Sequence, residues 1–345
     1  MAASTAGQAV TVFGAYGHTG RFVVAELLAR GYVPVLSGRD ADRLHALAEE
    51  HAGLDVRPAT VEDPAALDRA LAGVAAVVNC AGPFAATTGP VVEAALRAGI
   101  PYVDVAAEIE ALDDTFRRFA DAGTVVLPGM AFFGGLGDLL ATAALDGLPA
   151  ADEVHIAYGL DSWHPTAGTR AAGAVSRERR AGRKVRFTGG RLEYHDAELP
   201  TLEWPFPEPL GTRAVVGEFT MADVVTVSSH LDVPEVCTYM AVEAAREVIA
   251  PDTPAPSATD DDGRSAQTFL VDVLVRAGGR ERRAVARGRD IYAVTAPLAV
   301  EALDRILTGR TRTTGTASAG RLFDAADFLT ALTDHLTVEY PAPTT

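Results

Sequence analysis

Lysine is almost absent from this 345-residue chain: of 30 basic side chains only Lys184 is a lysine. Any mechanism that needs a lysine therefore has a single candidate. Cysteine is nearly as scarce. Cys80 and Cys237 lie far apart, in neither a metal nor a redox spacing, which argues against a disulfide framework or a zinc site and sets a cytoplasmic expectation. No apolar run approaches the roughly 20 residues that a membrane span needs. Met1 to Gly7 carries neither a basic start nor an apolar core, so it reads as a short tail rather than a signal peptide. Positive charge is also in deficit. The net charge is −16, and no basic stripe is available to neutralise phosphates, which argues against nucleic acid as a partner. The one basic cluster, Arg177 to Arg186, reads equally as a solvated face or a site.

What is present is a chain long enough for two domains, with one stretch that carries chemistry. Val10 to Phe13 is a short apolar strand. Gly14-Ala15-Tyr16-Gly17-His18-Thr19-Gly20 follows, and then an amphipathic helix from Arg21 to Arg30. Gly14 allows the tight turn, Gly17 removes a side chain where a pyrophosphate must approach, and Gly20 lets the helix sit close to the strand. The helix N-terminus aims unpaired N–H groups at the phosphates. Strand, glycine turn and helix in this order predict a dinucleotide site formed by Gly14, Tyr16, Gly17, His18, Thr19 and Gly20, with His18 touching phosphate or solvent.

The first third of the chain alternates strands and helices. Strands are expected at Val33 to Ser37, Leu54 to Ala59, Val74 to Asn79, Tyr102 to Val105 and Thr124 to Leu127. Asp40 and the pair Asp63-Pro64 read as helix starts, and Gly31, Gly73 and Gly99 as helix ends. That order implies an α/β fold, a Rossmann-type doubly wound parallel sheet, over residues 1–130. Past residue 150 the rhythm changes. Val154 to Leu160, Arg186 to Phe187, Arg191 to Tyr194 and Val224 to Ser228 are strand-like. Phe269 to Arg276 and Arg282 to Arg287 flank Ala277-Gly278-Gly279 as a hairpin. These suit an α+β substrate or dimerisation domain over 131–290, with an acidic loop at 252–263. A helix from Val294 to Leu307 opens a carboxy-terminal segment, 291–345, expected to return as helices to the first domain.

At the end of the second strand, Ser37-Gly38-Arg39 stands where an acidic residue would read a free ribose 2′-hydroxyl. Arg39 can form charge-assisted bonds to a 2′-phosphate and Ser37 a neutral one, so NADP(H) is favoured over NAD(H). Asp40 is better placed as a helix cap. Thr60 and Val61 are expected near adenine. Asn79-Cys80-Ala81-Gly82-Pro83-Phe84 ends the fourth strand at the same sheet edge, so Cys80, Ala81, Gly82 and Pro83 are expected to line the nicotinamide side. Cys80 has no activating neighbour and reads as a buried small hydrophobe. The Tyr-x-x-x-Lys pair of short-chain dehydrogenases is missing, because Arg180 stands four before Lys184. Neither a His-Glu-x-x-His nor a serine elbow occurs. Candidates for the reaction centre are Tyr102, Asp104 and Glu108, which hold substrate or relay a proton unless they cap a helix and bond loop amides. From the second half come Trp163-His164-Pro165-Thr166 and Gly168-Thr169-Arg170, expected to close over the nicotinamide, with His164 a proton donor near neutral pH and Arg170 a grip for a carboxylate.

Taken in order, Gly14 to Gly20, Asn79 to Phe84, Tyr102-Val103-Asp104-Val105-Ala106-Ala107-Glu108, Pro128 to Phe133, Gly168-Thr169-Arg170 and Tyr292 to Pro297 resemble the saccharopine dehydrogenase-like NAD(P)-binding oxidoreductases. Ala107 departs from the glycine common before Glu108, and Thr60 from an acidic residue common near adenine. The resemblance implies a Rossmann domain, an α+β domain inserted before a returning helix, and a homodimer. The function expected is an NADPH-dependent reductase that delivers hydride to a C=N or activated C=C bond, with C=O as a further target, of a small organic substrate. The alternative is a non-catalytic NADP-binding sensor or docking protein on the same fold.

Overall fold

The computed structural model describes residues 7–340 other than Pro149. Of the expected tail, only Gly7 falls among them. The first unit runs β1 (Ala9–Phe13), α1 (His18–Ala29), β2 (Val33–Gly38), α2 (Ala41–Glu50), β3 (Val56–Pro58), α3 (Pro64–Ala70), β4 (Ala76–Asn79), α4 (Phe84–Ala98), β5 (Tyr102–Asp104), α5 (Ile109–Arg118) and β6 (Val126–Leu127). Its sheet has the order β3-β2-β1-β4-β5-β6, parallel throughout. β4 is buried along its whole length, as helices on both faces require. The caps act as their chemistry dictates. Asp40 accepts from the Arg43 amide at 3.1 Å, and Asp63 from the Ala66 amide at 3.0 Å with Pro64 opening the helix. Strand order reverses between β1 and β4, which opens a crevice beyond their carboxyl ends.

After β6 the chain makes a tight π-type turn at Phe132–Leu136 and enters the second unit. This comprises α6 (Gly137–Leu145), β7 (Glu153–Leu160), α7 (Ala167–Arg179), β8 (Lys184–Thr188), β9 (Arg191–His195), β10 (Thr201–Pro205), β11 (Thr212–Gly217), α8 (Asp223–Thr226), β12 (Glu235–Ala241), α9 (Val242–Ile249), β13 (Thr268–Ala277), β14 (Arg280–Arg289), α10 (Thr295–Leu307), α11 (Ala319–Leu322), α12 (Ala325–Thr330) and β15 (Leu336–Glu339). The strands form a mixed sheet along β10-β11-β12-β7-β13-β14-β15, with β8 and β9 attached to β12. Among the described residues β7–β12 is its one parallel pair. The β13–β14 hairpin turns at the expected glycines.

The second unit holds elements that were not expected, β10, β11, β12, α6 and α9 among them, and three further departures have a plain physical reason. Val224 to Ser228 holds the short helix α8 rather than a strand. Its valines are buried on every side, and Thr226 donates to the Gly134 carbonyl at 3.0 Å, so tertiary packing overrides the β-branched preference. The polar stretch after β7 contains α7, whose exposed Ala-Gly-Arg surface gives no apolar period. The carboxy-terminal segment is not all helix. α10 does return to the first unit, where Arg30 pairs with Glu301 at 2.6 Å, but β15 adds an edge strand to β14.

Candidate dinucleotide site

Gly14 leaves β1 at φ +86°, and a Cβ there would stand 2.7 Å from the Ala81 amide nitrogen. The exits of β1 and β4 therefore touch. A Cβ on Gly20 would stand 2.2 Å from the Gly14 carbonyl oxygen, so only glycine lets α1 start this close to the strand. Gly17 is the N-cap of α1 and offers no side chain to its first N–H groups, which open onto the crevice. A cradle that a Cβ would fill, facing an uncapped helix end, fits a pyrophosphate.

Next to the cradle, Tyr16 lies where a Cβ on Gly38 would come within 2.9 Å of its ring, and the Arg43 guanidinium stacks on that ring at 4.3 Å. Arg39 is exposed at the same corner, and no carboxylate pairs with it among the described residues. Ser37 is fully buried and donates its hydroxyl to the Arg57 carbonyl at 2.8 Å, so that donor is already engaged. Arg43 escaped the sequence reading; its signal was a second arginine in the first turn after Asp40. Thr60 and Val61 follow β3, half-buried beside this corner.

At the end of β4, Asn79 shapes the loop. Its Oδ1 accepts from the Ala81 amide at 3.0 Å, while its Nδ2 donates to Tyr102 Oη at 3.0 Å. Tyr102 in turn donates to Asp104 at 2.8 Å, and Asp104 also accepts from the amides of Ala106 and Gly129 at 3.0 and 2.7 Å. Tyr102 and Asp104 are both fully buried, and burial pushes both groups up from their ordinary values. Glu108 accepts from the amides of Phe84 and Ala85 at 2.7 and 3.0 Å, capping α4. The three expected reaction-centre residues thus brace the strand ends from inside rather than presenting a free group to the crevice. Gly82 is exposed and Ala81 and Pro83 are half-exposed on the loop. The Cys80 thiol is free, and burial first and then Asp104 push it well up, away from nucleophilic use.

The second unit reaches over the crevice through one helix and one loop. At its start α7 is tied to the first unit's glycine turn by way of Tyr292. Thr169 and Tyr292 hydroxyls lie 3.0 Å apart, and the Tyr292 ring stands edge-on to His18 at 5.2 Å. At its far end Ser176 bonds Glu110 of α5, and Arg179 pairs with Asp114. So α7 bridges from α1 to α5 across the strand ends. Burial holds the His18 imidazole below its usual range, with Asp290 opposing, and its Nε2 is buried without a hydrogen-bond partner. Arg170 donates to the carbonyls of Ala250 and Thr253 at 3.1 and 2.7 Å, so its guanidinium holds a loop and does not wait for a carboxylate. His164 lines a cleft of about 130 Å³ with Ser162, Pro256, Ser257, Gln267 and Tyr292. Its neighbour Trp163, expected with it to close over the nicotinamide, packs on Phe133 at 4.8 Å.

Parallel strands, a switch-point crevice and an open helix N-terminus define a dinucleotide-binding protein of the doubly wound class. Residues 10–127, about a third of the chain, match the saccharopine dehydrogenase NADP-binding domain family, and NADP(H) is the dinucleotide that this match supports. A probable mitochondrial saccharopine dehydrogenase-like oxidoreductase of Arabidopsis thaliana is 27% identical over 170 residues, 45% of this chain and 35% of that protein. A human saccharopine dehydrogenase-like oxidoreductase is 26% identical over 145 residues, 36% of this chain and 34% of its own length. These matches span about a third of each relative. The structure of apo saccharopine dehydrogenase (L-Glu forming) from Saccharomyces cerevisiae aligns over 97% of this chain and 100% of that one, with TM-score 0.65 and 14% identity, a likeness of fold. No described helix is long and apolar enough to cross a membrane.

Proposed function

We propose that the protein is an NADPH-dependent reductase acting on a C=N or activated C=C bond, with C=O as a further target, of a small organic substrate. The observation that carries this reading is the cradle of Gly14, Gly17 and Gly20 at the uncapped start of α1, roofed by α7. Its named relatives are oxidoreductases. When bound, NADPH supplies a hydride, and one proton completes the reduction. The chain's own contribution is to bind and orient. The α1 amides face the pyrophosphate, Arg39 faces the 2′-phosphate, and the Cys80–Pro83 loop together with Phe133 frames the nicotinamide side. The proton comes from solvent in this reading, because Tyr102, Asp104 and Glu108 hold backbone and one another, and His164 lines a different cleft. Two free cysteines suit a cytoplasmic setting, and a homodimer is part of the proposal through the resemblance.

Titration with NADPH and NADH, followed by NADPH oxidation with imines, enones and ketones, tests the reading. Arg39→Ser is expected to weaken NADPH about 10-fold while leaving NADH unchanged. Equal losses for both nucleotides would remove Arg39 from the 2′-phosphate, and no turnover in any of the three classes would favour the sensor alternative.

A further inference from the structure

His18 opens α1, so its backbone amide stands among the N–H groups at the uncapped helix end, while its side chain turns to Tyr292. The imidazole is wedged. Phe22 and Tyr292 stand edge-on to it at 5.3 and 5.2 Å, and its Nε2 is sealed without a hydrogen-bond partner. A ring packed this closely has no room to slide, so a shift of the glycine turn passes to the tyrosine ring.

The hydroxyl of Tyr292 works at the other end of the ring. It donates to the His164 carbonyl at 3.2 Å, accepts from Trp163 Nε1 at 3.2 Å, and lies 3.0 Å from the Thr169 hydroxyl. One oxygen therefore gathers residues 163–169, the approach to α7 and its first turn. The backbone of Tyr292 is fixed as well. Asp290 is fully buried and accepts from the amides of Tyr292 and Ala293 at 2.9 and 3.0 Å, and from that of Ser265 at 2.7 Å. Asp290 itself stands at φ +54°, a conformation that a residue with a Cβ keeps only where its surroundings impose it. α7 needs such an anchor. Only Ser176 on it is buried, so its place over the crevice is set by bonds at its two ends rather than by an apolar face.

We propose that Tyr292 is a positioning residue, which takes the occupancy of the glycine turn from His18 through its ring and sets α7 over the crevice through its hydroxyl. The inference rests on the cofactor site of the reductase reading and not on the bond reduced. The chain has two tryptophans to report on it, Trp163 at this junction and Trp204, whose Nε1 is held by Asp272. In the full chain labelled with 5-fluorotryptophan, NADP+ is expected to move the Trp163 fluorine resonance and to leave that of Trp204 in place. Tyr292→Phe keeps the ring on His18 and removes the hydroxyl. It is expected to abolish the Trp163 response and to raise the NADP+ dissociation constant about 5-fold. Thr169→Val, on α7 itself, is expected to do the same, and serves if the Tyr292 variant fails to fold. Thr169→Ser, which keeps the hydroxyl, is expected to behave as the wild type. NADP+ uptake without movement of the wild-type Trp163 resonance, or a response that survives in either Tyr292→Phe or Thr169→Val whatever the melting temperature, overturns the inference and leaves the reductase reading standing. Failure of NADP+ uptake in the wild type sinks that reading and this inference with it.

Discussion

At the scale of single residues, the site depends on atoms that are missing as much as on those present. Gly20 admits no Cβ because the Gly14 carbonyl would stand 2.2 Å away, and backbone cannot swing aside as a side-chain tip can. Gly20→Ala is therefore expected to push α1 off β1, lowering stability by about 1–3 kcal/mol in urea unfolding and raising the NADPH dissociation constant with it. Asp223 is a second case. Burial pushes its carboxyl up to about 7, while Tyr158 donates to it at 2.9 Å and partly opposes the shift. A folded value above the unfolded one means that folding takes up a proton. The stabilisation is complete below about pH 4 and fades as pH rises through 7. Asp223→Asn should remove this dependence, so the wild type loses ground to the variant between about pH 5 and pH 8 in thermal melts. A constant difference across that range would show that Asp223 is charged throughout.

At the scale of elements, what could be read from the sequence and what could not divide along a physical line. β1, the glycine turn and α1 were legible because local chemistry alone sets them: a covered strand, a turn that bars Cβ atoms and a helix start. The same holds for the caps at Asp40 and Asp63. α7 was not, because only Ser176 on it is buried and its partners, Glu110 and Tyr292, lie far away in sequence. Nor was the parallel pairing of β7 with β12, which joins strands separated by four other strands and two helices. Tyr102, Asp104 and Glu108 were found as polar residues at a sheet end, but whether such a group faces a crevice or its own backbone is decided by neighbours that a sequence does not display. Trp163 and His164 were legible as one segment, but the packing of Trp163 on Phe133 was not, because that ring belongs to a turn far earlier in the chain. The β13–β14 hairpin carries a sharper dependence. Asp272 is fully buried and is held by Arg283 together with Trp204, whose Nε1 donates at 2.8 Å. Arg283→Ala would leave a buried carboxylate without its counter-charge, at a cost of about 3 kcal/mol measured by urea unfolding. A loss below about 1 kcal/mol would show that the pair with Arg283 adds little to the hold that Trp204 already has on Asp272.

At the scale of the whole molecule, the two units are joined at both ends of the crevice. The π-type turn after β6 leads out of the first sheet, and α10 leads back to α1, where Glu301 takes Arg30 at 2.6 Å and Arg305 at 2.7 Å. Tyr292, just ahead of α10, meets His18 on the way. The helix behind the glycine turn is thus covered by chain that arrives late. Glu301 lies 271 residues beyond Arg30. At a ribosomal pace of about 5–20 residues per second, α1 waits roughly 15–55 s for its cover. Through that interval a nascent chain already carries the glycine turn with the helix behind it bare, and a fragment that stops before Val294 would keep it so. During synthesis, then, α1 depends on a helix that the ribosome delivers 271 residues later.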